Sequence, residues 1–256
     1  MTDTDQYFTY FQESAEGIEL PRQFNNPFDY DPHPLCILAA NQLQHHLSTQ
    51  KEWEHNFGLD DEMEGDIIGK MFGVMVVRNE QGEIGYLSAF SGTLASVNHH
   101  SGFVPPVYDG PAEDGFLNDG MAALGQITTD MKALEKTDTV AIDALKEKRK
   151  AEANVLTERL FEQYHFLNKA GEEKSLLAIF RDELKREPPG GAGECAAPKL
   201  LHFAFQYNLQ PLAMAEFFWG QSRGSDYWQH KQFYPACEEK CKPILGYMLE
   251  GLEVKQ

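Results

Sequence analysis

The chain has few basic residues for its size. Lys and Arg total 22 against 40 Asp and Glu, which gives a formal net charge of −18. Nucleic-acid-binding proteins usually carry a basic face, so this charge argues against the chain gripping a phosphate backbone by itself. No run of about 18 apolar residues occurs, so we expect no membrane span. The start, MTDTDQYFTY, lacks the basic and apolar regions of a secretory signal, and we expect a cytoplasmic protein.

Cysteine is also scarce, with four residues in 256. A cytosolic chain of this size does not fold around a disulfide framework, so the cysteines are core residues, redox sites or metal ligands. The hydrophobic share of 42% is ordinary for a globular protein and excludes wholesale disorder. The length suits one large domain or two small ones.

Hydrophobic periodicity predicts a mixed α/β core. Apolar residues at three- and four-residue steps predict a helix from Leu35 to Leu47. Two apolar runs, 70–77 and 84–90, flank a polar, glycine-containing turn and predict a hairpin. Residues 1–34, rich in Pro and Asn, are predicted to form an irregular arm. The core is assigned to 35–91 and 188–256.

Residues 92–187 are predicted to be an insert in this core. Its first part, 92–120, is predicted to be a loop, because the stretch 101–120 holds three prolines and four glycines. From about residue 121 the composition becomes helical, with a long helix capped near Gly171 and a shorter one over 175–184. This helical segment is either a hairpin packed on the core or a projecting coiled-coil arm that contacts a protein partner.

The C-terminal third contains most of the candidate reactive residues. A glycine-rich turn, PPGGAGEC, leads into a helix predicted over 196–207, and LAMAEFFW predicts a buried strand over 212–219. A polar loop then precedes Cys237 and Cys241, which are four residues apart and open a last helix. The predicted fold is therefore a three-layer-like α/β (α+β) core, with a small sheet made of hairpin 70–90 and strand 212–219, interrupted by a helical insert.

Three cysteines form the candidate metal site. Cys195 lies where the glycine-rich turn meets a helix start, which favours its thiolate form. Cys237 and Cys241 lie at the next helix start. Thiolates are preferred Zn²⁺ ligands, and three protein ligands plus a water make a catalytic zinc arrangement. The alternative is that all three are buried or free thiols.

Other motifs give weaker signals. Cys36 lies in an apolar helix and is expected in the core, and the pairs His45-His46 and His99-His100 lack ligand spacing and are expected at the surface. The acidic segment 60–66 is expected to be a solvated loop. The PPGGAGE turn either presents N–H groups to an anion, with Lys199 nearby, or is only a tight turn that precedes the helix at Cys195.

The stretch PPGGAGECAAPKLLHFAFQYNLQPLAMAEFFWG, followed by FYPACEEKCKPILGYML, resembles the N-terminal region of a subgroup of RluA-type RNA pseudouridine synthases. The resemblance extends more loosely from about residue 85 to the C-terminus. It implies an accessory role in RNA modification, with RNA or a ribosomal precursor bound through a separate synthase domain. The family's catalytic Asp belongs to an HRLD-like motif, and no His-Arg pair occurs here, so no catalytic residue for that isomerisation is assigned.

The order of elements is similar to that of zinc-dependent nucleotide deaminases. A helix, a hairpin, a helix opening with Cys195, a strand and a helix opening with a cysteine pair follow one another. The resemblance implies zinc bound by Cys195, Cys237 and Cys241. That fold also places a proton-carrying Glu two residues after the first ligand, where this chain has Ala197. Glu194 and Glu216 are the possible substitutes, and the site is either active or limited to binding a base or nucleotide.

Overall fold

The computed structural model describes residues 4, 6–29, 31–60, 62–110, 115–134 and 138–255. Its contacts divide the chain into two compact units. The first contains Met1–Val107, Phe166–Lys174 and Gly191–Gln256, and the second contains Tyr108–His165 and Ser175–Gly190. The helices are α1 Pro34–Thr49, α2 Phe116–Ala133, α3 Thr139–Gln163, α4 Ala196–Gln206 and α5 Cys241–Met248. The strands are β1 Thr9–Tyr10, β2 Lys70–Arg78, β3 Ile84–Phe90, β4 His165–Leu167, β5 Glu173–Ser175, β6 Gln210–Trp219 and β7 Phe233–Tyr234.

The first unit is built on a five-stranded sheet of order β1-β3-β2-β6-β7, in which every neighbouring pair is antiparallel. The predicted hairpin is β2–β3, and the predicted strand is β6, which lies beside β2 in the centre. The middle of both central strands is buried, as the sequence of apolar residues on both faces requires. The predicted α/β class is confirmed.

Helices cover both faces of this sheet. The apolar side of α1 joins one face in a core with alternate residues of β2 and β6, among them Val74, Ala215 and Phe217. On the other face α4 packs against β2, β3 and β6, and α5 packs against α4. This helix–sheet–helix arrangement is the predicted three-layer core, and it brings the starts of α4 and α5 to the same side of the sheet.

The arm before α1 follows the outer edge of β6. The side-chain amide of Asn25 donates to the Met214 carbonyl at 2.9 Å and accepts from the Met214 N–H at 2.7 Å, as a neighbouring strand would. Phe24 bridges to Val254, and the Pro27 carbonyl accepts from Ala236 N–H at 2.8 Å. The arm is irregular apart from β1, and these bonds fix it beside the site strand.

The second unit contains α2 and α3, which pack against each other. Gly120 permits the close approach, since a Cβ there would lie 2.5 Å from Leu156 Cδ1. Arg159 lies over the Phe116 ring at 4.1 Å, and Arg181 bridges Glu158 and Glu187 at 2.8 Å each. The predicted helical insert is therefore an antiparallel pair with its own contacts.

The predicted cap at Gly171 is wrong. The helix α3 ends at Gln163, and the chain then forms the short ribbon β4–β5. Gly171, with φ 78°, lies in the turn between these strands, where the Asn168 carboxamide oxygen accepts from Ala170 N and Glu172 N at 3.0 Å each. A left-handed glycine suits a hairpin turn as well as a helix end, so the residue alone did not distinguish them.

The predicted loop over 92–120 also ends earlier than expected, because α2 begins at Phe116. The predicted short helix over 175–184 is a π-helical turn, Ala178–Glu183. Within the described part of the chain, no helix is both long and apolar enough to cross a membrane.

Candidate functional site

Three elements of the first unit place the candidate residues. Cys195 is the N-cap of α4, Cys241 is the first residue of α5, and Glu216 lies on β6. Gly73 on β2 is the register partner of Glu216. A Cβ on Gly73 would lie 3.0 Å from both Ala196 Cβ and Leu200 Cδ1, so the glycine lets the start of α4 lie directly on the sheet beside Glu216.

Cys241 is the centre of the cysteine cluster. Its side chain is fully buried, and hydrogen bonds to the sulfurs of Cys195 and Cys237 raise the pKa of its thiol, with burial adding to the effect. The negative charges of Cys195 and Glu216 act in the same direction. The structure thus brings together the three cysteines that the sequence singled out.

Cys237 occupies the exposed side of the same cluster. The Cys241 thiol, together with the backbone N–H groups of Glu239, Lys240 and Cys241, lowers the pKa of Cys237 to about 5. Its own carbonyl accepts from Cys241 N at 3.2 Å and Lys242 N at 3.0 Å. Successive N–H groups at a helix start form a concave site for an anion, so the backbone stabilises the Cys237 thiolate.

Glu216 is one of the two carboxylates that the sequence analysis offered as substitutes for the missing Glu without placing them. It is a buried carboxylic acid, 7% exposed, whose Oε1 accepts from Ala197 N–H at 3.3 Å. Burial raises its pKa to about 7, and the negative charge of Cys237 also raises it, while the Ala197 bond opposes both. Its position as a single acidic residue within the apolar strand LAMAEFFW was the signal that could have favoured it over Glu194.

Lys199 is buried beneath the start of α4. Its Nζ donates to the carbonyls of Phe90 at 2.9 Å and Gly92 at 3.1 Å. These bonds hold the ammonium against the backbone at the end of β3. Burial lowers its pKa to about 8, and the negative charges of Glu194 and Cys195 oppose the shift. Lys199 therefore fixes the backbone at the end of β3 beside Cys195. The negative charge of Glu194 favours the protonated form of Lys199.

The remaining candidates lie apart from this cluster. Cys36 is fully buried in the core on the α1 face, as predicted, and burial raises its pKa. His45 and His46 are exposed, whereas the half-buried His100 ring bonds the Leu94 carbonyl at 2.8 Å and lies against Trp53. In the PPGGAGE turn, Gly191 and Gly193 have positive φ, 73° and 92°.

The donor set suits zinc in its chemistry. Soft thiolates are the ligands that Zn²⁺ prefers, and ligand cysteines must lose their protons to bind it. Three clustered thiolates repel one another, so a cation would stabilise the deprotonated cluster. In the arrangement present, the neighbouring thiols of Cys195 and Cys237, together with burial, raise the pKa of Cys241 and favour its protonated form. Among the described residues, no group of three or more His, Cys, Asp and Glu side chains already has the geometry of a metal site.

Comparison of the chain with protein-family models, curated proteins and solved structures finds no match.

Proposed function

We propose that the chain carries a zinc-thiolate site of the deaminase kind, in which Cys195, Cys237 and Cys241 bind Zn²⁺ and Glu216 moves the proton. The observation that carries this proposal is the packing of α4 and α5 on one face of the sheet, where Cys195 and Cys241 begin the two helices and the Glu216 Oε1 accepts from Ala197 N–H at 3.3 Å. When bound, zinc would supply an activated water. The reaction is hydrolytic deamination of a nucleobase: the oxygen of water replaces the exocyclic amine, which leaves as ammonia.

Glu216 supplies the carboxylate that the motif after Cys195 lacks. Its side chain reaches the start of α4 from β6 and bonds the N–H of Ala197, the position at which deaminases carry their Glu. A proton carrier works best when its pKa is near the working pH, and burial brings Glu216 to about 7. Glu216 also lines a small cleft of about 20 Å³, whose other walls include Asn25, Pro32 and Tyr234.

Zinc content tests the metal site. Elemental analysis of protein purified without chelators should give about one zinc per chain, which Cys195→Ser and Cys241→Ser should lose. Cys36→Ala is the matched control, because this buried thiol lies in the core on the α1 face, and it should keep its zinc. A zinc-free protein after growth and purification in excess zinc overturns the proposal.

Ammonia release tests the chemistry. Zinc-loaded protein should release ammonia from cytosine or adenine in single-stranded RNA or free nucleosides, and Glu216→Gln should slow this about 10²–10⁴-fold while zinc content stays unchanged. If the variant is as active as the unmodified chain, Glu216 is not the proton carrier. If the zinc-bound chain is inactive on every nucleobase, the site binds a base or nucleotide without reacting with it.

An accessory role in RNA modification is the second candidate, and the sequence PPGGAGECAAPKLL favours it. The chain would position RNA for a synthase domain that carries the basic surface, because its own net charge is −18. Mapping pseudouridine in cellular RNA with and without this chain tests the role. Loss of modification at defined sites is expected, and an unchanged map contradicts it.

A further inference from the structure

The segment between Glu216 and Cys237 presents an aromatic surface to solvent. Tyr227 is 60% exposed and Trp228 is 37% exposed, and they lie edge to face with ring centroids 4.8 Å apart. Large aromatic side chains usually bury most of their area, so two exposed neighbours in one loop need a reason. We call this pair the aromatic platform.

Residues of β6 and β7 hold the platform in place. Trp228 stacks on Phe218 of β6 at 5.8 Å and contacts Tyr234 of β7 at 4.7 Å. The Tyr234 hydroxyl donates to the Tyr227 carbonyl at 2.5 Å and accepts from Gln229 N–H at 2.7 Å. These bonds tie the loop to the sheet, so little conformational freedom remains to be lost when a ligand binds.

Tyr234 connects the platform to the strand that carries Glu216. Tyr234 is the register partner of Glu216 on β6 and lines the same cleft. Three residues after Tyr234 the chain reaches Cys237. A molecule lying on Tyr227 and Trp228 would therefore lie beside the proposed reaction site.

The loop that bears the platform supplies two cations. Residues 220–236 contain Arg223 and Lys231 and one acidic residue, Asp226, while Glu216, Glu238 and Glu239 flank the loop. Lys231 Nζ also lies 5.6 Å from the centroid of the Trp219 ring. Exposed aromatic rings with nearby cations are the pattern that binds single-stranded nucleic acid, where bases stack on the rings and cations contact phosphates.

We propose that Tyr227 and Trp228 stack unpaired bases of single-stranded RNA, with Arg223 and Lys231 contacting the flanking phosphates. This proposal rests on the proposed function, because the site beside the platform defines a nucleobase as the substrate. Stacking supplies most of the affinity, since only two cations are available. The surface thus selects unpaired bases next to the one that reacts.

Fluorescence anisotropy with a labelled single-stranded RNA tests the platform. Trp228→Ala should weaken binding about ten-fold or more, and Trp228→Phe should restore most of it, because stacking needs a ring. Tyr10→Ala is the matched control: Tyr10 is similarly exposed, 56%, but lies on β1 at the opposite edge of the sheet, and its loss should leave binding unchanged. A hairpin RNA without unpaired bases should bind more weakly than the single strand.

Salt and metal dependence separate the proposals. With two phosphate contacts, log Kd should change with log salt by a slope near 1.4, and Lys231→Gln should halve it. Binding unaffected by Trp228→Ala, or equal for hairpin and single strand, overturns the platform even if zinc is present. RNA binding that persists in Cys195→Ser, together with zinc-free unmodified protein, overturns the metal site and leaves the platform standing.

Discussion

At the scale of single residues, burial and neighbouring groups set the protonation states of Cys237, Cys241 and Glu216. The Cys241 thiol, helped by the backbone N–H groups at the start of α5, lowers the pKa of Cys237, while the neighbouring sulfurs and burial raise the pKa of Cys241. Glu216 retains its proton to about pH 7 because a buried carboxylate lacks solvation. A cation at the centre would reverse this distribution by favouring every deprotonated form.

Cys237 should therefore be the most reactive cysteine of the zinc-free protein. Because its pKa is lowered to about 5, iodoacetamide should alkylate it at pH 6–7, with a rate that is half-maximal near pH 5. Cys36 should stay unlabelled in the folded state, since it is fully buried. Peptide mapping by mass spectrometry measures both. A Cys237 rate that rises only above pH 8 contradicts the prediction.

Glu216 should make the zinc-free protein less stable as pH rises. Its pKa of about 7 in the folded state lies above the ordinary value of 4.5, so folding favours the protonated form. The stabilisation is complete below pH 4.5 and is lost as pH rises through 7, by an amount on the order of 3 kcal/mol. Urea unfolding of the unmodified chain and Glu216→Gln across this range should show the difference between them changing in this direction. A pH-independent difference contradicts it.

At the scale of elements, the packing of α4 on β2 decides whether the cluster forms. The contact is close because Gly73 has no side chain opposite Ala196 and Leu200. Lys199 adds a second restraint by bonding the carbonyls of Phe90 and Gly92. Both restraints fix the end of α4 that carries Cys195.

Gly73→Ala should consequently disturb the site without touching a cysteine. The new Cβ forces α4 away from β2, which should lower the free energy of unfolding by about 1–3 kcal/mol and weaken zinc binding. Gly125→Ala, in α2, is the control, because its Cβ would meet nothing within 4 Å and an Ala should stabilise the helix by about 0.5–1 kcal/mol. Denaturant titration and zinc content measure the two effects, and equal zinc retention in both variants would contradict the role of Gly73.

At the scale of the whole molecule, the two units differ in how they bury their residues. The strand β6 is buried in all but its first residue and β2 in its six middle residues, whereas α3 buries only Phe161 along 25 residues. The charged residues of α3 leave it without a continuous apolar stripe, so its own contacts with α2 hold it weakly.

Hydrogen exchange should report this difference. Amides of β2 and β6 should exchange only on global unfolding, while those of the first half of α3 should exchange by local opening and at least about ten-fold faster. Mass spectrometry of exchange by segment measures both in one sample. Protection of α3 equal to that of β6 contradicts the prediction.

The sequence by itself determined the elements that periodicity and turn chemistry encode. The core helix, the β2–β3 hairpin, the buried strand with its acidic residue and the two cysteine-led helix starts all follow from local pattern. Gly171 was misassigned because a left-handed glycine ends helices and builds hairpin turns alike. Only the tertiary structure decided that Cys195, Cys241 and Glu216 lie in one region. Their proximity depends on strand order and on the missing side chain of Gly73, and such long-range packing leaves no periodic signal in the chain.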